Sequence, residues 1–131
     1  MSRLGELGER EIIRRLARGL PSRPDVVAGV GDDAAVVRPA DAADDWLLTS
    51  DAVVEGAHFL ADTPPEAIGY KAVGRALSDL AAMGGAPRWA LLDVVAAPDT
   101  QMARLEGVYR GASALAARYG LALVGGDTTA G

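Results

Sequence analysis

Hydrophobic residues in the first third of the chain recur at a helical spacing and then at a strand-like one. The apolar stripe over residues 5–19 predicts an amphipathic helix that Pro21 and Pro24 should end. Three short apolar runs bounded by turn residues then predict strands, at 26–27, 34–37 and 46–48. The aspartates before the last of these predict a polar loop.

A second helix is marked at both ends. Thr63 followed by two prolines and Glu66 has the pattern of a capping box, which predicts Thr63 as the N-cap. Apolar residues at helical spacing continue to Met83, and Gly84-Gly85 predicts the end. We therefore expect a helix over residues 63–83.

The last third of the chain alternates strand and helix patterns. The apolar run 89–97 predicts one central strand, and periodic apolar positions over 101–119 predict a third helix. Gly120 predicts a left-handed stop before a strand at 121–124.

This element order indicates an α/β domain with helices packed on a sheet. Gly107 and Gly111, within the third predicted helix, are expected to allow another backbone to come close. The pattern alone leaves open whether the sheet is parallel or mixed.

Composition narrows the functional classes. At 131 residues, half of them hydrophobic, the chain is long enough for one globular domain over residues 1–131. A net charge of −5 argues against a nucleic-acid surface, and the absence of cysteine excludes thiol catalysis and zinc-thiolate sites. No apolar run approaches the ~20 residues that span a bilayer, so we expect no membrane partner and a cytoplasmic location.

Candidate chemistry collects at the ends of the predicted elements, where four aspartates lie within two residues of a glycine, serine or threonine. They are Asp33, Asp51, Asp79 and Asp127. Hard oxygen ligands of this kind suit Mg²⁺ carrying phosphates better than Zn²⁺ or a redox metal. No P-loop or Gly-x-Gly-x-x-Gly motif occurs, so a P-loop lysine would not neutralise phosphate charge.

Each aspartate also has a plainer interpretation. Asp32, next to Asp33, is expected to hydrogen-bond its own backbone, and Asp79 has a possible ion-pair partner in Arg75 one helical turn earlier. Thr49, Ser50 and Asp51 could be a polar strand end, and the glycines before Asp127 a simple turn. Spacing alone leaves these alternatives open.

Three further residues carry weaker signals. His58 is the only histidine, and a lone histidine is more often structural than catalytic. Tyr109 is expected to be a core residue whose phenol could meet a base or ribose. Asp93 lies inside the apolar run 89–97 with no partner that the sequence reveals.

Four motifs follow one another along the chain. They are Gly29-Val30-Gly31-Asp32-Asp33-Ala34-Ala35, Thr49-Ser50-Asp51 through Glu55-Gly56-Ala57-His58-Phe59, Leu77-Ser78-Asp79-Leu80-Ala81-Ala82-Met83-Gly84, and Val124-Gly125-Gly126-Asp127-Thr128-Thr129. Together they give the chain a close resemblance to the N-terminal domain of the thiamine-monophosphate kinase family. The resemblance covers essentially the whole chain.

The resemblance implies an α/β fold with a mixed sheet flanked by helices, similar to the N-terminal domain of aminoimidazole ribonucleotide synthetase. It implies transfer of the γ-phosphoryl group of ATP to thiamine monophosphate, with several Mg²⁺ ions, and a homodimer formed through the sheets. The implied metal ligands are Asp33, Thr49, Ser50, Asp51, Asp79 and Asp127. The implied ATP contacts are Gly126, Asp127 and Tyr109, and His58 would lie near the substrate.

Other members of this superfamily, such as selenophosphate synthetase and a hydrogenase-maturation protein, also use ATP. The combined Ser-Asp-Leu-Ala-Ala-Met-Gly and Gly-Gly-Asp-Thr-Thr motifs favour the thiamine enzyme. The C-terminal domain of that family is expected to be missing from this chain, so we do not expect the chain alone to catalyse the reaction. The alternative is a noncatalytic dimerisation or nucleotide-binding module.

Overall fold

A computed structural model describes residues 2–131. The chain forms two compact units, one ending at Leu48 and the other spanning Thr49–Gly131. None of the helices within residues 2–131 combines the length and the apolar composition that a membrane span requires.

The first unit contains a short helix and an antiparallel sheet. A 3₁₀ turn at Leu4–Glu6 is followed by helix α1, Glu9–Ala17. Three strands, β1 (Val26–Ala28), β2 (Ala35–Val37) and β3 (Trp46–Leu48), lie in that order, each antiparallel to its neighbour. The three predicted strands are thus confirmed.

The single helix predicted over residues 5–19 is wrong in its first turns. Leu7 is extended, with φ −108° and ψ 139°, and Gly8 is the N-cap of α1. Glu6 turns its carboxylate back to accept the backbone N–H of Arg3 at 3.0 Å. This local hydrogen bond closes the 3₁₀ turn and separates it from α1.

The second unit contains two long helices and two pairs of parallel strands. Helix α2 spans Pro65–Ala82 and helix α3 spans Met102–Arg118. Strand β4 (Trp89–Leu91) pairs with β6 (Ala122–Gly125), and β5 (Val94–Ala96) pairs with β7 (Thr128–Ala130). Because α3 connects these parallel partners, the segment is a β-α-β crossover. The predicted α/β class, with both strand orientations, is confirmed.

The core of this unit lies between the helices and one face of the strands. Its buried members are Val73, Ala112, Leu115, Ala116 and Leu121. Ala90 and Leu123 pack against them from the strands, and Leu92 does so from the segment between β4 and β5. The alternate residues Leu91, Val95 and Val124 are exposed, and we call these three the outer apolar face.

Helices α2 and α3 cross at glycines. A Cβ atom added to Gly69 would lie 1.8 Å from the carbonyl oxygen of Val108, and one added to Gly111 would lie 1.8 Å from that of Glu66. At Gly107 it would lie 2.6 Å from the Pro65 ring. The predicted approach of another backbone is confirmed at Gly111, where no side chain fits between the helices, whereas Gly107 faces the ring of Pro65.

The predicted end of α2 is confirmed, and its predicted start is wrong. Gly84 has φ +71° and Gly85 donates to the Leu80 carbonyl at 2.9 Å, which is a Schellman end. At the other end Pro64 is the N-cap, since the Thr63 hydroxyl accepts the N–H of Leu60 at 3.0 Å instead of capping the helix.

The strand predicted over 89–97 is also wrong as a single element. It divides into β4 and β5 at Leu92-Asp93, opposite Gly126-Asp127, and β7 follows as a strand that the sequence did not predict. Gly120, with φ +68°, ends α3 as predicted. We call the four residues 92–93 and 126–127 the strand break.

Candidate functional site

One face of α2 carries or contacts half of the predicted site residues of the second unit, namely Thr49, Asp51, His58 and Asp79. Lys71, Arg75 and Asp79 follow one another at intervals of four residues, so their side chains lie along the same side of the helix. Each contacts a different part of the segment that precedes the helix. We call this the α2 face.

Asp79 and Thr49 are joined near the C-terminal end of α2. The Thr49 hydroxyl donates to Asp79 Oδ2 at 3.0 Å, and the contact is partly buried. A carboxylate near a helix C-terminus is disfavoured by the helix dipole, and the hydroxyl offsets part of this cost. Two predicted metal ligands separated by thirty positions in the sequence are thus in direct contact.

Asp51 is paired with Arg75. Arg75 Nη2 lies 3.2 Å from Asp51 Oδ1, and the Asp51 side chain is 24% exposed. The structure therefore corrects the ion pair expected between Arg75 and Asp79, since the guanidinium reaches across to Asp51. The Nε atom of Arg75 is buried and makes no hydrogen bond within the described residues. An unpaired buried donor of this kind is costly.

His58 belongs to a tight loop that α2 holds in place. Its Nδ1 accepts the N–H of Val54 at 3.0 Å, so the proton of the neutral ring is on Nε2. Gly56, with φ +80°, turns the chain between them. The ammonium group of Lys71 donates to the His58 carbonyl. Arg104 of α3 holds the end of the loop by donating to the Ala61 carbonyl at 3.0 Å.

The strand break gathers the predicted nucleotide contacts. Gly126 has φ +146°, and the N–H of Asp127 donates to Asp93 Oδ1 at 2.8 Å. The Tyr109 hydroxyl lies 3.4 Å from the Leu92 carbonyl oxygen. Gly126, Asp127 and Tyr109 therefore all lie at the strand break. Tyr109 is exposed, so the expectation that it is a core residue is wrong.

Asp33 lies in the first unit, in the turn that leads into β2. Its N–H donates to Asp32 Oδ1 at 2.8 Å, which agrees with the local backbone role expected for Asp32. Gly31, with φ +136°, supplies the turn. Asp33 and Ser50 are both exposed.

A comparison with protein families decides the family of this chain. Residues 31–131 match the family described as AIR synthase related protein, N-terminal domain. The chain belongs to this family. As an AIR synthase related N-terminal domain, it carries within the matched residues every position that we predicted as a site residue.

Curated relatives of this AIR synthase related domain are thiamine-monophosphate kinases. The chain is 38% identical to that of Synechococcus elongatus over 125 residues, which are 95% of this chain and 36% of the relative. It is 40% identical to that of Escherichia coli K12, covering 95% of this chain and 38% of the relative. The resemblance seen in the motifs is confirmed, and the chain spans less than two-fifths of these relatives' length.

Solved structures give the same result for the fold. The structure described as AaThiL complexed with AMPPCP and TMP is 35% identical, with a TM-score of 0.89, covering 100% of this chain and 40% of that one. The structure of tt0281 from Thermus thermophilus is 34% identical, with a TM-score of 0.87, covering 98% of this chain and 41% of that one.

The donor set in this AIR synthase related domain suits a cation that also binds phosphate and water. Within residues 2–131, no group of three His, Cys, Asp or Glu side chains is placed to hold a metal ion by itself. Mg²⁺ is commonly bound by one or two carboxylates, with phosphate and water oxygens completing its shell. The carboxylates of Asp51 and Asp79 and the hydroxyl of Thr49 are hard oxygen donors of that type.

Sequence reasoning missed two residues of this arrangement. Arg75 was assigned to the wrong partner, and Asp93 had none until the strand break brought it to Asp127. An acid inside an apolar run, facing a Gly-Gly-Asp segment of the next strand, was the signal for Asp93.

Proposed function

We propose that this chain is the N-terminal part of a kinase that transfers the γ-phosphoryl group of ATP to thiamine monophosphate, giving thiamine diphosphate. One observation carries the proposal: the whole chain matches, with a TM-score of 0.89, a protein whose structure is described as complexed with AMPPCP and TMP, an ATP analogue and the acceptor. The names of the curated relatives support the same reaction.

The proposed cation site of the second unit uses Mg²⁺, bound by Thr49, Ser50, Asp51, Asp79 and Asp127. Asp33, in the first unit, is proposed separately as a Mg²⁺ ligand. When bound, Mg²⁺ would neutralise the charge on the phosphates that react. The hydroxyl of Thr49 orients the Asp79 carboxylate, which it contacts at 3.0 Å. Arg75 keeps Asp51 paired, and so limits the repulsion between carboxylates before ligands arrive.

Transfer is proposed to be direct and in line, with no residue acting as a general base. The acceptor is itself a phosphate and is anionic near neutral pH, so it needs little help in losing a proton. Charge repulsion between donor and acceptor is the larger barrier, and electrostatic positioning lowers it. Because charge neutralisation matters more than proton removal, a site with many aspartates that hold cations, and with no general base, suits this reaction.

The nucleotide is proposed to contact the strand break, through Gly126, Asp127 and Tyr109. Gly126, with φ +146°, turns the backbone that leads into Asp127, and the phenol of Tyr109 offers a polar edge. The acceptor is proposed to lie near His58, whose loop is held by Lys71 and Arg104. Nε2 of His58 carries the proton and can donate to an anionic group.

The test uses a longer protein in which this chain is joined to the remaining part of a thiamine-monophosphate kinase. Incubation with ATP, Mg²⁺ and thiamine monophosphate should yield thiamine diphosphate, measured by chromatography. Asp51→Asn and Asp79→Asn should each lower kcat by about 100-fold or more, because each weakens the proposed site of the cation that neutralises the phosphates. Asp99→Asn, an exposed acid outside the proposed site, is the matched control.

Activity on an aminoimidazole precursor or on selenide, with no thiamine diphosphate formed, would contradict the proposed substrate.

A second hypothesis applies to the isolated chain: it is a noncatalytic nucleotide-binding and dimerisation module. The outer apolar face favours this hypothesis. Calorimetry that detects nucleotide binding without turnover by the chain alone would support that hypothesis for the fragment.

A further inference from the structure

The strand break contains an exchange of hydrogen-bond partners. Leu92 donates its N–H to the Gly125 carbonyl at 3.0 Å, so in an unbroken parallel ladder its own carbonyl would accept the N–H of Asp127. That N–H donates to the carboxylate of Asp93 instead, at 2.8 Å. Val94 resumes the ladder by donating to the Asp127 carbonyl at 2.8 Å.

Gly126 explains why the main-chain partner is replaced. With φ +146°, it brings its backbone so close to the facing strand that a Cβ atom would lie 2.0 Å from the Leu92 carbonyl oxygen. The Tyr109 hydroxyl approaches the same oxygen at 3.4 Å. The Asp93 carboxylate therefore replaces the Leu92 carbonyl as the acceptor of the Asp127 N–H.

We propose that Asp93 is a positioning residue for the nucleotide and cation site, acting through the backbone of Asp127. This inference rests on the proposed function, because Asp127 is one of its proposed ligands. Both main-chain groups of Asp127 are held by consecutive residues of the facing strand, the N–H by Asp93 and the carbonyl by Val94. A hydrogen bond to a carboxylate is stronger than one between neutral groups, so it fixes this turn firmly.

The experiment compares variants of the 131-residue chain at position 93. Asp93→Asn keeps an oxygen acceptor, Asp93→Leu removes it at similar volume, and Asp93→Ala removes it without adding an exposed apolar group. Asp99→Leu is the matched control at another exposed aspartate. Two quantities are measured: the hydrogen-exchange rate of the Asp127 amide by NMR, and the affinity for AMPPCP with Mg²⁺ by calorimetry.

The Leu and Ala variants should exchange the Asp127 amide about tenfold faster and bind AMPPCP about tenfold more weakly, since one hydrogen bond is lost. The Asn variant should lie between the parent and the Ala variant in both quantities, because it keeps an oxygen acceptor without the charge. The Asp99→Leu control should stay close to the parent chain. Melting curves verify that each variant is folded. If the Leu variant is unfolded, the comparison rests on the Ala variant.

Unchanged exchange at Asp127 in the Ala variant would overturn the inference. Faster exchange with unchanged affinity would overturn it as well, because Asp93 would then hold the backbone without serving the ligand. A parent chain that binds no nucleotide would count against the proposed site. In that case the exchange rates alone would decide whether Asp93 holds Asp127.

Discussion

Arg75 is the side chain on which the charge balance of the α2 face depends. Its guanidinium pairs with Asp51 at 3.2 Å, while Asp79, one turn later, is served by the hydroxyl of Thr49. A cation that binds Asp51 must therefore compete with a positive charge already in place. Half-exposed pairs of this kind contribute about 1 kcal/mol or less, so the competition is modest.

Arg75→Gln should raise the affinity of the chain for Mg²⁺ by up to about fivefold, because the competing charge is removed. The measurement is a calorimetric titration with MgCl₂ at fixed ionic strength. Arg14→Gln, on α1, removes the same charge from an exposed ion pair and should leave the affinity unchanged. Weaker Mg²⁺ binding in Arg75→Gln would show that the arginine supports the cation site instead of opposing it.

Residue roles were only partly predictable from the sequence. The local backbone bond of Asp32 could be predicted, because its donor is the next residue. The partners of Arg75 and Asp93 could not, since each depends on a tertiary contact more than twenty residues away along the chain. The roles of the six proposed metal ligands remain predictions.

At the scale of elements, the glycine crossing sets how closely α2 and α3 pack in the second unit. Gly69 and Gly111 each face a carbonyl oxygen of the other helix, so any side chain there would separate the helices. Gly74, also in α2, faces only a methyl group of Leu115 at 3.6 Å. The same substitution should therefore have opposite effects at two positions of one helix.

Gly69→Ala should lower the free energy of unfolding by about 3 kcal/mol or more, because overpacking forces two backbones apart. Gly74→Ala should raise it by about 0.5–1 kcal/mol, since alanine is the better helix former. Urea denaturation monitored by circular dichroism measures both. Equal effects of the two substitutions would show that the helices can separate at little cost.

The α2–α3 pair also has a pH-dependent contact. Arg110 of α3 hydrogen-bonds the Glu66 carboxylate at 2.7 Å and lowers the pKa of Glu66 from its ordinary value of 4.5. A lowered pKa contributes stability that is present above the unfolded pKa and lost as pH falls through the folded one. Glu66→Gln should therefore be less stable than the parent near neutral pH.

The stability difference between Glu66→Gln and the parent should shrink to near zero once the pH is below the folded pKa of Glu66. Urea unfolding at a series of pH values measures it. Glu106→Gln, an exposed acid on α3, is the control. A difference that does not change with pH would mean that the ion pair with Arg110 has no part in stability.

Element ends were predictable where a glycine decides them, and not where side chains compete. Gly84 and Gly120 end their helices with positive φ values, as the sequence indicates. The capping box failed because the Thr63 hydroxyl accepts from Leu60 and the Glu66 carboxylate is held by Arg110. The sequence shows both side chains of the capping box, but it does not show that Leu60 and Arg110 compete for them.

At the scale of the whole molecule, the outer apolar face is the surface that we predict to bind a second copy of the chain. Leu91 and Val95 are 71% and 69% exposed on the side of the strands opposite the core. Burying apolar area of this kind contributes about 25 cal/mol per Å². The homodimer that we predict would cover this face.

Leu91→Lys should convert such a dimer into a monomer, because it places a charge at the apolar contact. Sedimentation velocity of the chain measures the change. Leu16→Lys, on α1, is the matched control, since Leu16 is also 71% exposed. A parent chain that sediments as a monomer at high concentration would remove the predicted interface from consideration.

The glycine crossing has a consequence for how this sequence can vary among its relatives. One residue added to or deleted from α2 between Gly69 and Arg75 would rotate the remainder of the helix by about 100° and shift it by about 1.5 Å along the helix axis. Arg75 and Asp79 would then turn away from Asp51 and Thr49, while Gly69 stayed pinned to the backbone of α3. Related chains should therefore tolerate many exchanges of side chain in this segment while keeping its length constant.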